Sequence, residues 1–171
     1  TVNSNMVEGA FIGVEHLIKK GHKNIAFISG ESSPVQSFER IKGYQKALSI
    51  YGIDLKDEYI VKSSQKIPDI RQTVRNFLPS HKEVSAIFCL SDFVAMAAMK
   101  SIWDLGLKIP DDIAVMGYDN IYLAEYYQPC LSSIDSQNKK IGEMAARMMI
   151  NLIEGKQSEV EHILLSPSLI V

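Results

Sequence analysis

Four short apolar runs in this chain are each followed by small polar residues, and those residues carry what chemistry the sequence has. After Ile25–Ile28 come Ser29-Gly30-Glu31-Ser32-Ser33, then Ser37 and Arg40. After Tyr59–Val61 come Ser63-Ser64-Gln65, after the run ending at Leu90 come Ser91-Asp92, and after Ile113–Met116 come Tyr118-Asp119-Asn120. Hydroxyls, amides and carboxylates gathered this way offer many paired donors and acceptors. They suit a ligand with several hydroxyls, such as a sugar, or a small polar heterocycle.

Other chemistries fit poorly. Gly30-Glu31-Ser32 lacks the closing glycine of a nucleophile elbow. Neither a G-x-x-x-x-G-K-[ST] phosphate loop nor a G-x-G-x-x-G fingerprint occurs. The four histidines, His16, His22, His81 and His162, form no H-E-x-x-H pair and stand apart from both cysteines, so no metal site is expected. Asp92 and Asp119 are the candidates for a carboxylate pair doing acid–base work. Asp92, however, reads as a helix N-cap, and Asp119 sits beside amides rather than a base. Cys89 and Cys130 read as buried free thiols, far apart in sequence.

The elements that must position these residues follow from periodicity. Asn5 with Glu8 makes an N-cap and its acidic partner, Ala10, Val14, Leu17 and Ile18 recur at helical spacing, and Gly21 ends the turn. Strands are expected near 25–28, 59–61, 84–90 and 113–116, the first wholly apolar as strands buried on both faces are. Helices are expected over about 35–51, over 68–78 between Pro68 and Pro79, over 92–105 and over 137–153. A looser stretch, 120–129, carries Tyr122, Tyr126 and Tyr127. A short strand near 132–134 and an extended end, 163–171, complete the chain. Alternating β and α with short links implies a parallel sheet covered by helices on both faces. In such sheets ligands bind beyond the carboxyl ends of the strands, where the four polar loops lie.

Composition agrees with a globular chain: 171 residues, 46% hydrophobic, 22% charged, with 18 Lys+Arg against 20 Asp+Glu. A net charge of −2 argues against direct nucleic-acid binding by this chain. No apolar run reaches the roughly 20 residues of a membrane helix. The first residues lack the basic-then-apolar pattern of a signal peptide.

Several blocks together carry a resemblance: Gly9-Ala10-x-x-Gly13-Val14-x-His16-Leu17, Gly21-His22-x-x-Ile25-Ala26-Phe27-Ile28, Arg40-x-x-Gly43-Tyr44, Ser91-Asp92, Ile109-Pro110-x-Asp112-Ile113-Ala114-Val115-x-Gly117-Tyr118-Asp119-Asn120, and Pro129-x-Leu131-x-x-Ile134. Over nearly its whole length the chain resembles the effector-binding core of the lac repressor/gal repressor family of bacterial transcription regulators. The resemblance implies the α/β fold of the C-terminal lobe of a type I periplasmic-binding-protein-like core, formed by 6–134 and 160–171, with the helix in 136–155 belonging to the N-terminal lobe. It implies a fragment lacking the helix-turn-helix and most of that second lobe. Arg40 and Asp119 would hold the effector. Ser91, Ser4, Asn5, Gln65 and Ser136 would line the cleft. Met96, Met99, Leu123, Tyr126 and Tyr127 would form the homodimer surface.

The implied function is a cytoplasmic sensor of a sugar or similar metabolite, not an enzyme, with no cofactor and no membrane, whose parent binds operator DNA through another domain. The same fold would also serve the solute-binding protein of a sugar transporter. One further expectation concerns the last helix. Its stripe of Ile141, Met144, Ala145, Met148 and Leu152 should be covered by a second copy, a swapped segment or further polypeptide.

Overall fold

A computed structural model of the chain describes residues 1–30, 34–64, 66–156 and 162–171. The main body is a parallel sheet in the order β3-β2-β4-β5, formed by β2 (Ile25–Gly30), β3 (Ile60–Ser63), β4 (Ala86–Cys89) and β5 (Ala114–Met116). Phe27 sits opposite Ile60 on one side and Phe88 on the other, and Phe88 lies opposite Met116. Beyond β5 the sheet continues into β6 (Ser133–Asp135): Gly117 N–H donates to the Ser132 carbonyl and Asp119 N–H to that of Ile134, both at 2.8 Å. β6 pairs in turn, antiparallel, with β8 (Ser168–Ile170).

The fold class is the one expected, α/β with helices on a parallel sheet. Helices α1 (Met6–Lys19) and α2 (Pro34–Ile50) pack on each other, as do α3 (Ile67–Ser80) and α4 (Asp92–Asp104). The chain moves one way from β2 to β3 and the other way from β3 through β4 to β5. Right-handed crossovers therefore put α2 on one face and α3 with α4 on the other. The reversal falls between β2 and β4, and the crevice it opens at their carboxyl ends is the ligand position of such sheets.

The core explains why the centre of the sheet is apolar. Phe27 stacks obliquely on Phe88 and Tyr44, with ring centroids 5.6 and 5.8 Å apart, and the buried Tyr44 hydroxyl donates to the Ile25 carbonyl at 2.8 Å. At Gly43 a side chain is forbidden by close approach: a Cβ there would lie 2.3 Å from the Val7 carbonyl oxygen of α1. Helix ends follow the sequence signals. Asn5 Oδ1 accepts from the Glu8 N–H at 3.1 Å, and Gly21, Gly52 and Gly106 close their helices with positive φ. Pro79 does not close α3, which runs through it to Ser80.

Three expectations change. Met96 and Met99 are not surface residues: they are 7% and 1% exposed, because α4 packs on α3, β4 and β5 and leaves Phe93, Lys100 and Asp104 outside. Of the remaining residues expected at the homodimer surface, Leu123 and Tyr126 are exposed. Tyr127 lies half-buried, stacked on Trp103. Cys130 is exposed rather than buried.

A second, smaller layer stands beside the main body. β1 (Val2–Ser4) pairs in parallel with β7 (Ile163–Leu165), and α5 (Asn138–Ile153) packs against β1. The C-terminal stretch is thus divided, β7 going to this layer and β8 to the main body. No residue of α5 is buried: Ile141, Met144, Met148 and Leu152 are half-covered, and Ala145 is exposed. The described chain covers the stripe only in part.

Candidate binding site

Arg40 is the centre of the site. It lies on α2, almost two turns into the helix, and is only 4% exposed. Its NH1 donates to the Leu90 carbonyl at the end of β4, and its NH2 donates to Asp119 Oδ1 at 3.0 Å. The guanidinium lies flat on the Tyr118 ring, 3.7 Å from its centroid. Its Nε is buried with no hydrogen-bond partner among the described residues. A buried donor without a partner is expensive to keep, and this one lies beside a cavity of about 290 Å³ formed by Gln36, Arg40, Leu90, Ser91, Phe93, Val94 and Asp119. The cavity sits in the crevice between the ends of β2 and β4.

Asp119 faces Arg40 with part of its carboxylate still open to solvent. Burial pushes its pKa up, and the neighbouring guanidinium pulls the other way without cancelling the effect. The backbone that presents it is unusual: Asp119 and Asn120 are consecutive non-glycine residues at φ 101° and 50°. Ser91, not Asp92, is the N-cap of α4. Its Oγ accepts from the Val94 N–H at 3.4 Å, and that contact leaves the hydroxyl proton unused. Asp92 is instead wholly buried beneath the turn, accepting from Ser133 Oγ–H at 2.6 Å and Ile121 N–H at 2.8 Å.

The fold therefore gathers Arg40, Ser91 and Asp119 in one cavity. Asn5 lies elsewhere, its amide oxygen occupied as the cap of α1, in a hollow shared with Val7, Glu8, Phe11 and Lys46. Ser4 and Ser136 do not line the Arg40 cavity. Both are buried at the junctions with the small layer, and each hydroxyl lacks a hydrogen-bond partner among the described residues. Gln65 falls outside the described residues.

Two residues of the cavity had gone unread. Gln36 lies one helical turn before Arg40, on the same face of α2, a spacing that was visible in the sequence. Phe93 is 60% exposed at the lip of a polar cavity, on a helix whose other large apolar side chains are mostly buried. A larger hollow, about 550 Å³, opens at the amino ends of β4 and β5 between Leu78, Val84, Leu105 and Ile113, away from the polar loops. Among the described residues no three His, Cys, Asp or Glu side chains group closely enough to hold a metal ion. Among the described residues no helix is long and apolar enough to cross a membrane.

The arrangement can hold a small molecule by its polar edge. Arg40 and Gln36 donate, Asp119 accepts, Ser91 does either, and Phe93 offers a flat apolar face. Among the described residues of the cavity no base stands poised against a nucleophile.

Residues 14–171 match the family described as periplasmic binding protein-like domain. Among curated proteins, the chain is 31% identical over 167 residues to the HTH-type transcriptional repressor PurR of Mannheimia succiniciproducens, covering 98% of this chain and 50% of that protein. It is 33% identical over 170 residues to the protein of the same name from Erwinia tasmaniensis, covering 99% and 50%. The chain thus spans about half the length of the curated relatives it matches. Among solved structures, it is similar to a transcriptional regulator CelR–cellobiose complex, with TM-score 0.92, 28% identity, and 99% of this chain and 52% of that one covered. It is also similar to a LacI family transcriptional regulator from Enterococcus faecium with bound ribose, with TM-score 0.90, 26% identity, and coverage of 99% and 63%.

Proposed function

This chain belongs to the periplasmic binding protein-like domain family, in company with LacI-type repressors rather than enzymes, and from that premise we propose that it is the effector-sensing domain of a bacterial transcription regulator. The effector is a small polar ring compound, a sugar or a sugar-like metabolite. Its flat face packs on Phe93, and its hydrogen-bonding edge meets Arg40, Asp119, Ser91 and Gln36. The observation that carries this reading is Arg40: a buried guanidinium with an unused Nε, locked in orientation by Tyr118, Leu90 and Asp119, at the lip of a cavity at the sheet's switch point. Its fork is held ready, so a ligand gains charge-assisted hydrogen bonds with little further ordering.

In the complete regulator, effector binding favours one orientation of two lobes over another, and operator affinity changes by the difference in binding energy. Residues 6–134 with β8 act as one lobe, and α5 with β1 and β7 as part of the other. A homodimer forms through the exposed Leu123, Tyr122 and Tyr126, DNA is bound by another part of the parent, and the protein works in the cytoplasm. The ligand-bearing neighbours named above carry sugars, which supports the sugar class.

The test uses the complete protein on DNA from the promoter of its own gene, with and without ligands taken from a screen of mono- and disaccharides. Ligand is expected to change DNA affinity by roughly 5- to 150-fold. A complete protein that binds a sugar but no DNA would instead be a solute-binding protein.

A further inference from the structure

The contacts at Arg40 leave one buried carboxylate without a role. Asp92 is 0% exposed, and its N–H and carboxylate bond the 118–121 segment and Ser133 on the adjoining β6. Its N–H donates to the Tyr118 carbonyl at 2.8 Å. Its Oδ2 accepts from the Ile121 N–H at 2.8 Å, and its Oδ1 accepts the Ser133 hydroxyl proton at 2.6 Å. Ser133 Oγ accepts in turn from the Asn120 N–H at 3.1 Å. The backbone before Asp119 is thus tied to the Asp92 amide, and the backbone after it, directly or through one hydroxyl, to the Asp92 carboxylate.

That segment needs tying. Asp119 and Asn120 both have left-handed φ, a conformation that side-chain-bearing residues keep only where the surroundings over-determine it. The chain also keeps space clear for the carboxylate. A Cβ at position 117 would lie 2.1 Å from Asp92 Oδ1, so only glycine fits there. As an N-cap Asp92 would be redundant, because Ser91 already caps α4.

We propose that Asp92 is a positioning residue: through Ser133 and the Ile121 amide it holds the left-handed Asp119–Asn120 turn in the shape that brings the Asp119 carboxylate to Arg40. The proposal rests on reading the Arg40–Asp119 pair as the effector contact, and it adds a residue that never touches the effector. Asp92 feels the charge of Asp119 across the turn, and the Cys89 thiol on β4 feels that of Asp92.

The experiment follows the Arg40 Nε–H by NMR in the full chain without ligand, the signal being assigned by its loss in Arg40→Lys. Exchange of that proton with water reports how firmly the guanidinium is held. In Asp92→Asn the amide can accept only one of the two hydrogen bonds, and exchange should quicken by about tenfold. Adding Asn120→Gly, which adopts the left-handed turn without strain, should bring the rate back to within about twofold of wild type. Ser133→Ala, which cuts the relay and leaves the carboxylate, should move the rate in the same direction by a smaller factor.

Unchanged exchange in Asp92→Asn, even with lower thermal stability, would mean that Asp92 only supports the core. Acceleration that Asn120→Gly fails to reverse would mean that it does not act through the turn. Should Asp92→Asn not fold, an unchanged rate in Ser133→Ala overturns the proposal. No effector enters this measurement, so its failure is separable from failure of the binding reading.

Discussion

Arg40 and Asp119 form a pair in which neither partner is fully satisfied, and that is what suits them to a ligand. A buried pair closed on itself would gain little, since desolvation offsets much of the attraction. Here Asp119 is held above its ordinary pKa by burial, and Arg40 keeps a free buried donor. Asp92 gives a sharper expectation. Burial, with the like charge of Asp119 adding, pushes it from 3.8 up to about 6, while bonds from Ser133, Ile121 and Tyr118 oppose the rise. A carboxyl whose folded pKa lies above its unfolded value favours the fold below the unfolded pKa, and that contribution is lost as pH rises through the folded one. Between pH 4 and 7 wild type should therefore lose on the order of 3 kcal/mol relative to Asp92→Asn. Urea unfolding of both at the two pH values measures it, and parallel pH curves would contradict the account. Phe93→Ala should weaken a ring-shaped ligand by about 1 kcal/mol, the size of a single stacking contact, with no loss of stability. Ser91 and Asp119 were legible because each closely follows an apolar strand, and Arg40 because it stands in the Arg40-x-x-Gly43-Tyr44 block. Phe93 was hidden by its type, since a phenylalanine on an apolar helix reads as core. The role of Asp92 was hidden because its partners, Ile121 and Ser133, are 29 and 41 residues away.

The elements were easier to read than their surroundings. Every helix and main-sheet strand lies within a few residues of its apolar pattern, because caps and glycines punctuate this chain at most helix ends. What periodicity could not give is which faces are covered. In α4 nearly every side chain is apolar, and a helix apolar all round is buried all round. The expectation that Met96 and Met99 face outward overlooked that signal. In α5 the pattern is amphipathic, yet the described chain supplies only β1 as a partner. The contrast predicts unequal local stability. Amides of α4 and β4 should exchange near the global rate, and those of α5 markedly faster, as hydrogen exchange by mass spectrometry would show. Phe88→Ala should cost about 3–5 kcal/mol and Met148→Ala less than about 1. Equal protection of α5 and α4 would mean that something in solution covers the α5 stripe.

At the scale of the molecule, the chain is one compact lobe with a small layer attached, carrying a net charge of −2. It lacks the excess of cations that counterion release requires, so this chain alone should not retard random duplex DNA at low salt. Retardation that weakens steeply with added salt would contradict that. Tyr126, 71% exposed and edge-on to the equally open Tyr122, is the point at which to test association: Tyr126→Asp should shift sedimentation toward monomer if copies pair there. The central claim, however, is that Arg40 holds an effector at the sheet's crevice, and calorimetric titration tests it most directly. The sugar that raises the melting temperature of the wild-type chain most is titrated into wild type, Arg40→Ala and Phe93→Trp. The account predicts that Arg40→Ala loses about 2–4 kcal/mol of binding free energy while Phe93→Trp retains it; wild-type affinity in Arg40→Ala would contradict it.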